Sequence, residues 1–257
     1  MYLSKNKFFD FKNKIILLTG SSGVIGRSIC KAFLESGSII YGFDVLNSKI
    51  KHKNYIHKKF DLNKEKKLKQ NMSLIIKNKN KIDIIINSAA VSFFSHFEKR
   101  KKIEIEKTIN TNLICTINII KNYIHFHNTK KLNSCRVINF GSIYGNVSPN
   151  FNIYKKGDRY NSEIYGATKA SIIQITKYLG VLYAKKKIFI NCISPGGTVD
   201  KTVKISKSFN LRYSSKVPME RMAKPDELIT TIMYLASDQT TYTVGQNIIV
   251  DGGYTSW

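Results

Sequence analysis

The feature that most constrains this chain is a recurring unit, a short unbroken apolar run followed by a longer stretch of helical periodicity. The apolar runs lie at 14–20 (KIILLTG), 38–44 (SIIYGFD), 82–88 (IDIIINS), 136–142 (RVINFGS), 187–194 (KIFINCIS) and 246–251 (QNIIVD), with a more polar one at 55–61. The strong runs are rich in Ile and Val and do not alternate with polar residues. That is the pattern of strands covered on both faces, hence of a parallel sheet. Helical stretches at 23–36, 63–79, 103–127, 162–184 and 225–236 fill the intervals. Pro225 followed by Asp226 and Glu227 suits a helix start, where proline fits the first turn and acids meet the positive dipole end. Such alternation, with right-handed crossovers, predicts a doubly wound α/β sheet of about seven strands flanked by helices. Ligands of such a sheet bind at the carboxyl ends of its strands.

The chain has 257 residues, 42% of them apolar, four prolines and no Gly/Ser-rich linker, so one domain over 1–257 is expected. The first residues are polar and lysine-rich, and no stretch approaches the roughly 20 apolar residues of a membrane helix. A cytoplasmic protein with no export signal and no membrane association follows as the expectation. Cys30, Cys115, Cys135 and Cys192 stand far apart without CxxC spacing, and no Cys/His cluster offers a metal site. They read as small buried thiols in a reducing compartment. The net charge is +25, from 42 Lys+Arg against 17 Asp+Glu. The lysines are spread along the whole chain beside abundant Asn and Ile, with no arginine-rich segment and no aromatic–basic interleaving. This is read as a solvated basic surface that steers anions inward, in preference to a nucleic-acid interface.

The first strand runs into Gly20-Ser-Ser22-Gly23-Val24-Ile25-Gly26, which opens a helix. Glycines at spacing three allow a tight turn and a close backbone approach to a pyrophosphate. The helix amino terminus then offers free N–H groups to the phosphates. Asp44 ends the second strand, 24 residues after Gly20. A carboxylate there accepts the hydroxyls of an adenosine ribose and repels a 2′-phosphate, which favours NAD over NADP.

Tyr165 and Lys169 stand four apart in a helical stretch, on one face. A nearby ammonium lowers a phenol's pKa from about 10 and makes it a usable acid/base. Ser142 ends a buried strand 23 residues before Tyr165 and can orient a substrate oxygen toward it. Asn112 sits inside a helical stretch where Asn is disfavoured, which fits a polar relay, a water site or a solvent-facing position.

These residues, together with Asn87-Ser-Ala-Ala90, Pro195-Gly196 and Val250-Asp-Gly-Gly253, occur in the order and spacing of a known family. The chain resembles the short-chain dehydrogenase/reductases over nearly its whole length. The resemblance implies a single-domain Rossmann-type fold, and Tyr165 as general acid/base with Ser142 as the carbonyl-polarising residue. It implies Lys169 as ribose anchor and pKa-lowering cation, and Asn112 as holder of a proton-relay water. Cofactor contacts fall on Gly20, Ser22, Gly23, Val24, Ile25, Gly26, Asp44, Asp61, Leu62, Asn87, Ala89, Tyr165, Lys169, Pro195, Gly196 and Thr198. A homodimer or homotetramer is implied, with helices 103–127 and 162–184 at the dimer face.

The glycine spacing TGxxGxxG departs from the TGxxxGxG usual at this length and resembles the longer epimerase/dehydratase branch, whose separate substrate domain is not expected here. Tyr144-Gly-Asn-Val-Ser-Pro149, Val217-Pro-Met-Glu-Arg-Met222 and the closing Asp251-Gly-Gly-Tyr-Thr-Ser-Trp257 resemble members encoded among surface-glycan or flagellin-glycan genes. That implies a sugar or sugar-phosphate alcohol as substrate, oxidised or regenerated by hydride transfer, under a lid at about 197–217. The competing readings are a reductase of 3-oxoacyl or other small-metabolite carbonyls, an epimerase/dehydratase-like enzyme, and a non-enzymatic basic nucleic-acid binder.

Overall fold

A computed structural model describes residues 8–155, 158–199 and 205–257. Seven parallel strands form one sheet in the order β3-β2-β1-β4-β5-β6-β7. They are β1 Ile15–Thr19, β2 Ile39–Asp44, β3 Tyr55–Lys59, β4 Ile84–Asn87, β5 Cys135–Phe140, β6 Ile188–Pro195 and β7 Asn247–Val250. Each coincides with a predicted apolar run to within two residues at either end; β5 starts one residue earlier, at Cys135, and β6 ends one residue later, at Pro195.

The helices are α1 Val24–Glu35, α2 Glu65–Lys79, α3 Lys102–Ile109, α4 Cys115–Lys130, α5 Glu163–Tyr183, α6 Lys207–Ser214 and α7 Ile229–Ala236. Pro225–Leu228 forms a 3-10 turn leading into α7, so the proline start holds but the first turn is tighter than an α-helix. None of the described helices is long and apolar enough to cross a membrane.

Successive side chains of a strand point to opposite faces, and the central strands fill both. Leu17 packs with Phe43, Leu68, Met72, Ile119 and Tyr123 in a core beneath α2 and α4. Its neighbours Ile16 and Leu18 pack with Ile29, Phe33, Ile86, Ile138 and Ile232 in a core beneath α1 and α7. This double coverage is why the runs carry no polar alternation. All four cysteines lie in this interior as free thiols.

The stretch expected as one helix over 103–127 is broken. A π-helical segment, Asn110–Ile114, separates α3 from α4. Asn112 within it is buried, its Oδ1 accepting from Val91 N at 2.8 Å and its Nδ2 donating to Val91 O at 3.0 Å. The side chain thus behaves as a backbone surrogate, holding the loop after β4 against the helix. Of the readings open for Asn112, the solvent-facing one is overturned.

Candidate active site

The strand order reverses between β1 and β4, where Thr19 pairs with Asn87 in register. A crevice opens outside the carboxyl ends at such a reversal. The glycine turn forms one wall. Gly20 adopts φ +71°, and a Cβ on it would lie 2.9 Å from the Ala89 backbone. Gly26 is tighter: a Cβ there would lie 2.0 Å from the Gly20 carbonyl oxygen. The turn is therefore folded onto the first turn of α1, which has no side-chain cap at Gly23. Val24 and Ile25 begin that helix. The Ser22 hydroxyl is buried with no partner among the described residues, and so is Asn87 Oδ1. Two orphaned polar atoms beside an uncapped helix start fit a dinucleotide's phosphates and adenosine.

Asp44 is buried at the end of β2. Its oxygens accept from Ser22 N and Leu46 N, each at 2.9 Å, so the carboxylate is tied to the glycine turn and keeps lone pairs for a ribose. Asp61 is exposed and accepts from the backbone N–H and side-chain amide of Asn63. Leu62 points into the core with Phe43 and Phe60. Asn87 donates to Asn139 at 2.8 Å, and Asn139 donates to Thr176 at 2.9 Å, a buried polar row that fixes the β4 end.

Ser142 follows β5 and caps a 3-10 turn, Ile143–Gly145, accepting from Tyr144 N at 3.2 Å. Ser162 caps α5 and accepts from Tyr165 N at 3.2 Å, placing Tyr165 in the first turn and Lys169 one turn later. A Cβ on Gly145 would meet the Lys169 carbonyl carbon at 2.7 Å, so the turn after Ser142 lies directly on α5. Ser142, Tyr165 and Lys169 line one cavity of about 410 Å³ with Pro195, Gly196 and Thr198. Thr198 donates its hydroxyl to Gly196 O at 3.1 Å, which steadies the loop after β6.

The expected electrostatics need correction. Lys169 is buried, its Nζ donates to Phe140 O at 2.7 Å and stands 5.6 Å from the centre of the Tyr165 ring. Burial lowers its pKa to about 8. Burial pushes the Tyr165 phenol above its ordinary value, and the neighbouring Ser142 hydroxyl pulls it only partly back. The protein by itself therefore holds Tyr165 as a protonated acid. Pocket desolvation outweighs a cation that is itself desolvated and committed to a carbonyl.

The far side of the cavity comes from residues not singled out in the sequence: Phe94, Tyr154, Arg159, Asn161, Phe209 and Tyr213. They come from four separate stretches with no common period, so no spacing rule could gather them. Tyr144 and Tyr154 share a 2.9 Å hydroxyl contact, and Gly197 N donates to Tyr213 Oη at 2.7 Å. The expected lid at 197–217 thus contains a helix, α6, that roofs the cavity with Phe209 and Tyr213; positions 200–204 lie outside the described residues. Arg159 lies at the rim with its guanidinium 5.7 Å from the Phe94 ring centre. No Asp or Glu lines this cavity among the described residues, nor does any trio of His, Cys, Asp or Glu there form a metal site.

A family model described as enoyl-(acyl carrier protein) reductase matches residues 20–255. The chain belongs to the short-chain dehydrogenase/reductase family. This short-chain dehydrogenase/reductase is an NAD(P)-dependent oxidoreductase, with the Rossmann-type sheet of its relatives. It is 25% identical to a 3-oxoacyl-[acyl-carrier-protein] reductase of Thermotoga maritima over 252 residues, 94% of this chain and 98% of the relative. It is also 25% identical to an acetoacetyl-CoA reductase of an Acinetobacter species, over 94% of this chain and 98% of that one. A short-chain dehydrogenase from Leptospira borgpetersenii, solved with bound NAD+, is 31% identical, with a TM-score of 0.89 over 99% of this chain and 98% of that one.

Proposed function

We propose that the protein interconverts an alcohol and a ketone on a small anionic substrate of the sugar or sugar-phosphate type, using NAD. The observation that carries this reading is the convergence of Ser142, Tyr165 and Lys169 on one cavity beside the glycine turn. NAD, when bound, accepts or supplies the hydride. Ser142 holds the substrate oxygen, and Tyr165 gives that oxygen a proton in reduction or removes one in oxidation. Lys169 anchors the ribose and carries positive charge toward the phenol, and Asn112 keeps the neighbouring loop in place for proton exchange. Asp44, tied to Ser22, disfavours a 2′-phosphate. The residues at 197–217 act as the lid. Tyr178, Val181 and Leu182 lie exposed along α5 and support a homodimer or homotetramer built on that helix. We place the protein in the cytoplasm.

A second reading, reduction of a 3-oxoacyl thioester, is favoured by the names of the relatives and by the aromatic walls of the cavity. An assay of the purified protein with NAD(H) and NADP(H) against sugar phosphates, sugar acids and acetoacetyl thioesters separates the two, followed by nicotinamide absorbance. Turnover confined to thioesters would discard the sugar reading, and a preference for NADP(H) would discard the role given to Asp44.

The raised Tyr165 sets a pH signature. Reduction needs the protonated phenol, which is present throughout the neutral range. Oxidation needs the phenolate, whose fraction grows as pH climbs toward the raised pKa. The oxidation rate is therefore expected to rise from about pH 7 to about pH 10 while the reduction rate does not. A flat oxidation profile measured at saturating substrate contradicts the assignment.

Arg159 at the rim, with no acid lining the same cavity among the described residues, points to an anionic group on the substrate. Arg159→Gln is expected to raise KM for an anionic substrate about tenfold or more with little change in kcat, and to leave a neutral analogue unaffected. Equal effects on both substrates would show that the guanidinium recognises no charge.

A further inference from the structure

We infer that the cleft at the amino-terminal edge of the sheet, around Arg136 and His127, is a binding site for a small phosphate-bearing ligand. The cleft measures about 810 Å³ and is lined by Arg136, His127, Lys185, Lys186 and Lys187 together with Asp83 and Asp238. It lies at the opposite end of the sheet from the catalytic cavity. Arg136 enters β5 and Ser142 follows its exit, so the two sites are about 20 Å apart, one strand length at about 3.3 Å per residue.

Arg136 is only 4% exposed, an unusual place for a guanidinium without a carboxylate partner. Its Nε donates to Ser237 O at 3.0 Å and its Nη2 to Asp238 O at 3.2 Å. The group lies over the Phe189 ring, 4.1 Å from its centre. Two carbonyls and a ring therefore fix its orientation. Nη1 remains buried with no partner among the described residues, and so does His127 Nδ1 on the same cleft. A buried polar atom left unsatisfied is costly, and two on one cleft point to an acceptor supplied from outside.

The charges agree. Both acids in the cleft are already taken, Asp83 by Lys81 at 2.9 Å and by Ile15 N at 2.7 Å, and Asp238 by Lys14. The described ion pairs leave Arg136, Lys185, Lys186 and Lys187 without a carboxylate. Lys186 donates to Asn128 Oδ1 at 3.0 Å, a neutral partner. A fixed guanidinium beneath a rim of exposed ammoniums matches the many acceptor oxygens of a phosphate.

The test titrates inorganic phosphate, at constant ionic strength against chloride, into NADH-saturated protein, read by calorimetry and by melting temperature. NADH keeps phosphate from being read at the glycine turn. Saturable binding is expected, and Lys185→Glu/Lys186→Glu, on exposed side chains, is expected to weaken it about tenfold or more, the change that about 1.4 kcal/mol of lost attraction produces. Arg136→Lys keeps the charge but removes the fork, and should weaken binding too; if it does not fold, the lysine pair decides. Turnover of the lysine variant should match wild type. Phosphate binding that is absent from the wild type, or unchanged in the lysine variant, overturns the site.

Discussion

Replacing Tyr165 by Phe is expected to lower turnover about a hundred- to ten-thousand-fold while leaving NADH affinity within about twofold of wild type. The phenol lines the cavity beside Ser142, whose hydroxyl pulls its pKa down, while burial pushes it up and holds it protonated. Removing one oxygen takes away the proton donor but keeps the ring, its place in the first turn of α5 and the Ser162 cap. Ser142→Ala should cost about a hundredfold or more by removing the group that holds the substrate oxygen. If the two act on the same oxygen, the double variant should be hardly slower than Tyr165→Phe alone. Stopped-flow turnover and NADH fluorescence titration separate the chemistry from binding. A Phe variant with wild-type turnover would falsify the acid/base assignment, and one that loses NADH as well would show the ring to be structural.

The second large effect is expected at Gly26. A side chain there meets backbone only: the Gly20 oxygen at 2.0 Å, and the Gly20 carbonyl carbon and Ser21 Cα at 2.9 Å. None of these can swing aside, so Gly26→Val must open the turn. A loss of about 3 kcal/mol is in the range for overpacking, which in a chain of this size lowers Tm by roughly 6–12 °C. NADH affinity should fall about a hundredfold, because the N–H groups at the start of α1 lose their common direction. Gly23→Ala is the control, since its Cβ would come only to 3.3 Å of the Gly20 oxygen. It should show a much smaller fall. If both variants bind NADH as the wild type does, this turn is not the cofactor's cradle.

The strands were legible because burial on both faces leaves a mark no other element makes, an Ile-rich run bounded by polar loops. Ser142, Tyr165 and Lys169 were legible because each is set by its distance from an element end. The π segment was not, because nothing in Asn110-Thr-Asn-Leu-Ile114 marks an extra residue within a helical stretch, and only the backbone bond from Cys115 N to Asn110 O shows it. The direction of the Tyr165 shift was also hidden. Spacing shows that a lysine is near, but not that the lysine is desolvated and bound to Phe140. The substrate wall stayed invisible for a different reason: Phe94, Tyr154, Arg159 and Tyr213 meet only through tertiary folding.

The π segment also limits how this chain can change. Each residue of a helix advances the side-chain direction by about 100°, and a π turn takes in one residue more than an α turn. Losing one residue inside Asn110–Ile114 would leave a plain α turn with Ile119, Ile120 and Tyr123 still facing the sheet they cover, whereas losing one elsewhere in α3 or α4 would turn one flank against the other by about 100°. What such a loss would cost at the π turn is the grip of Asn112 on the Val91 backbone. In this part of the molecule the π turn is the one place where chain length could change by a residue without turning α4 from the sheet.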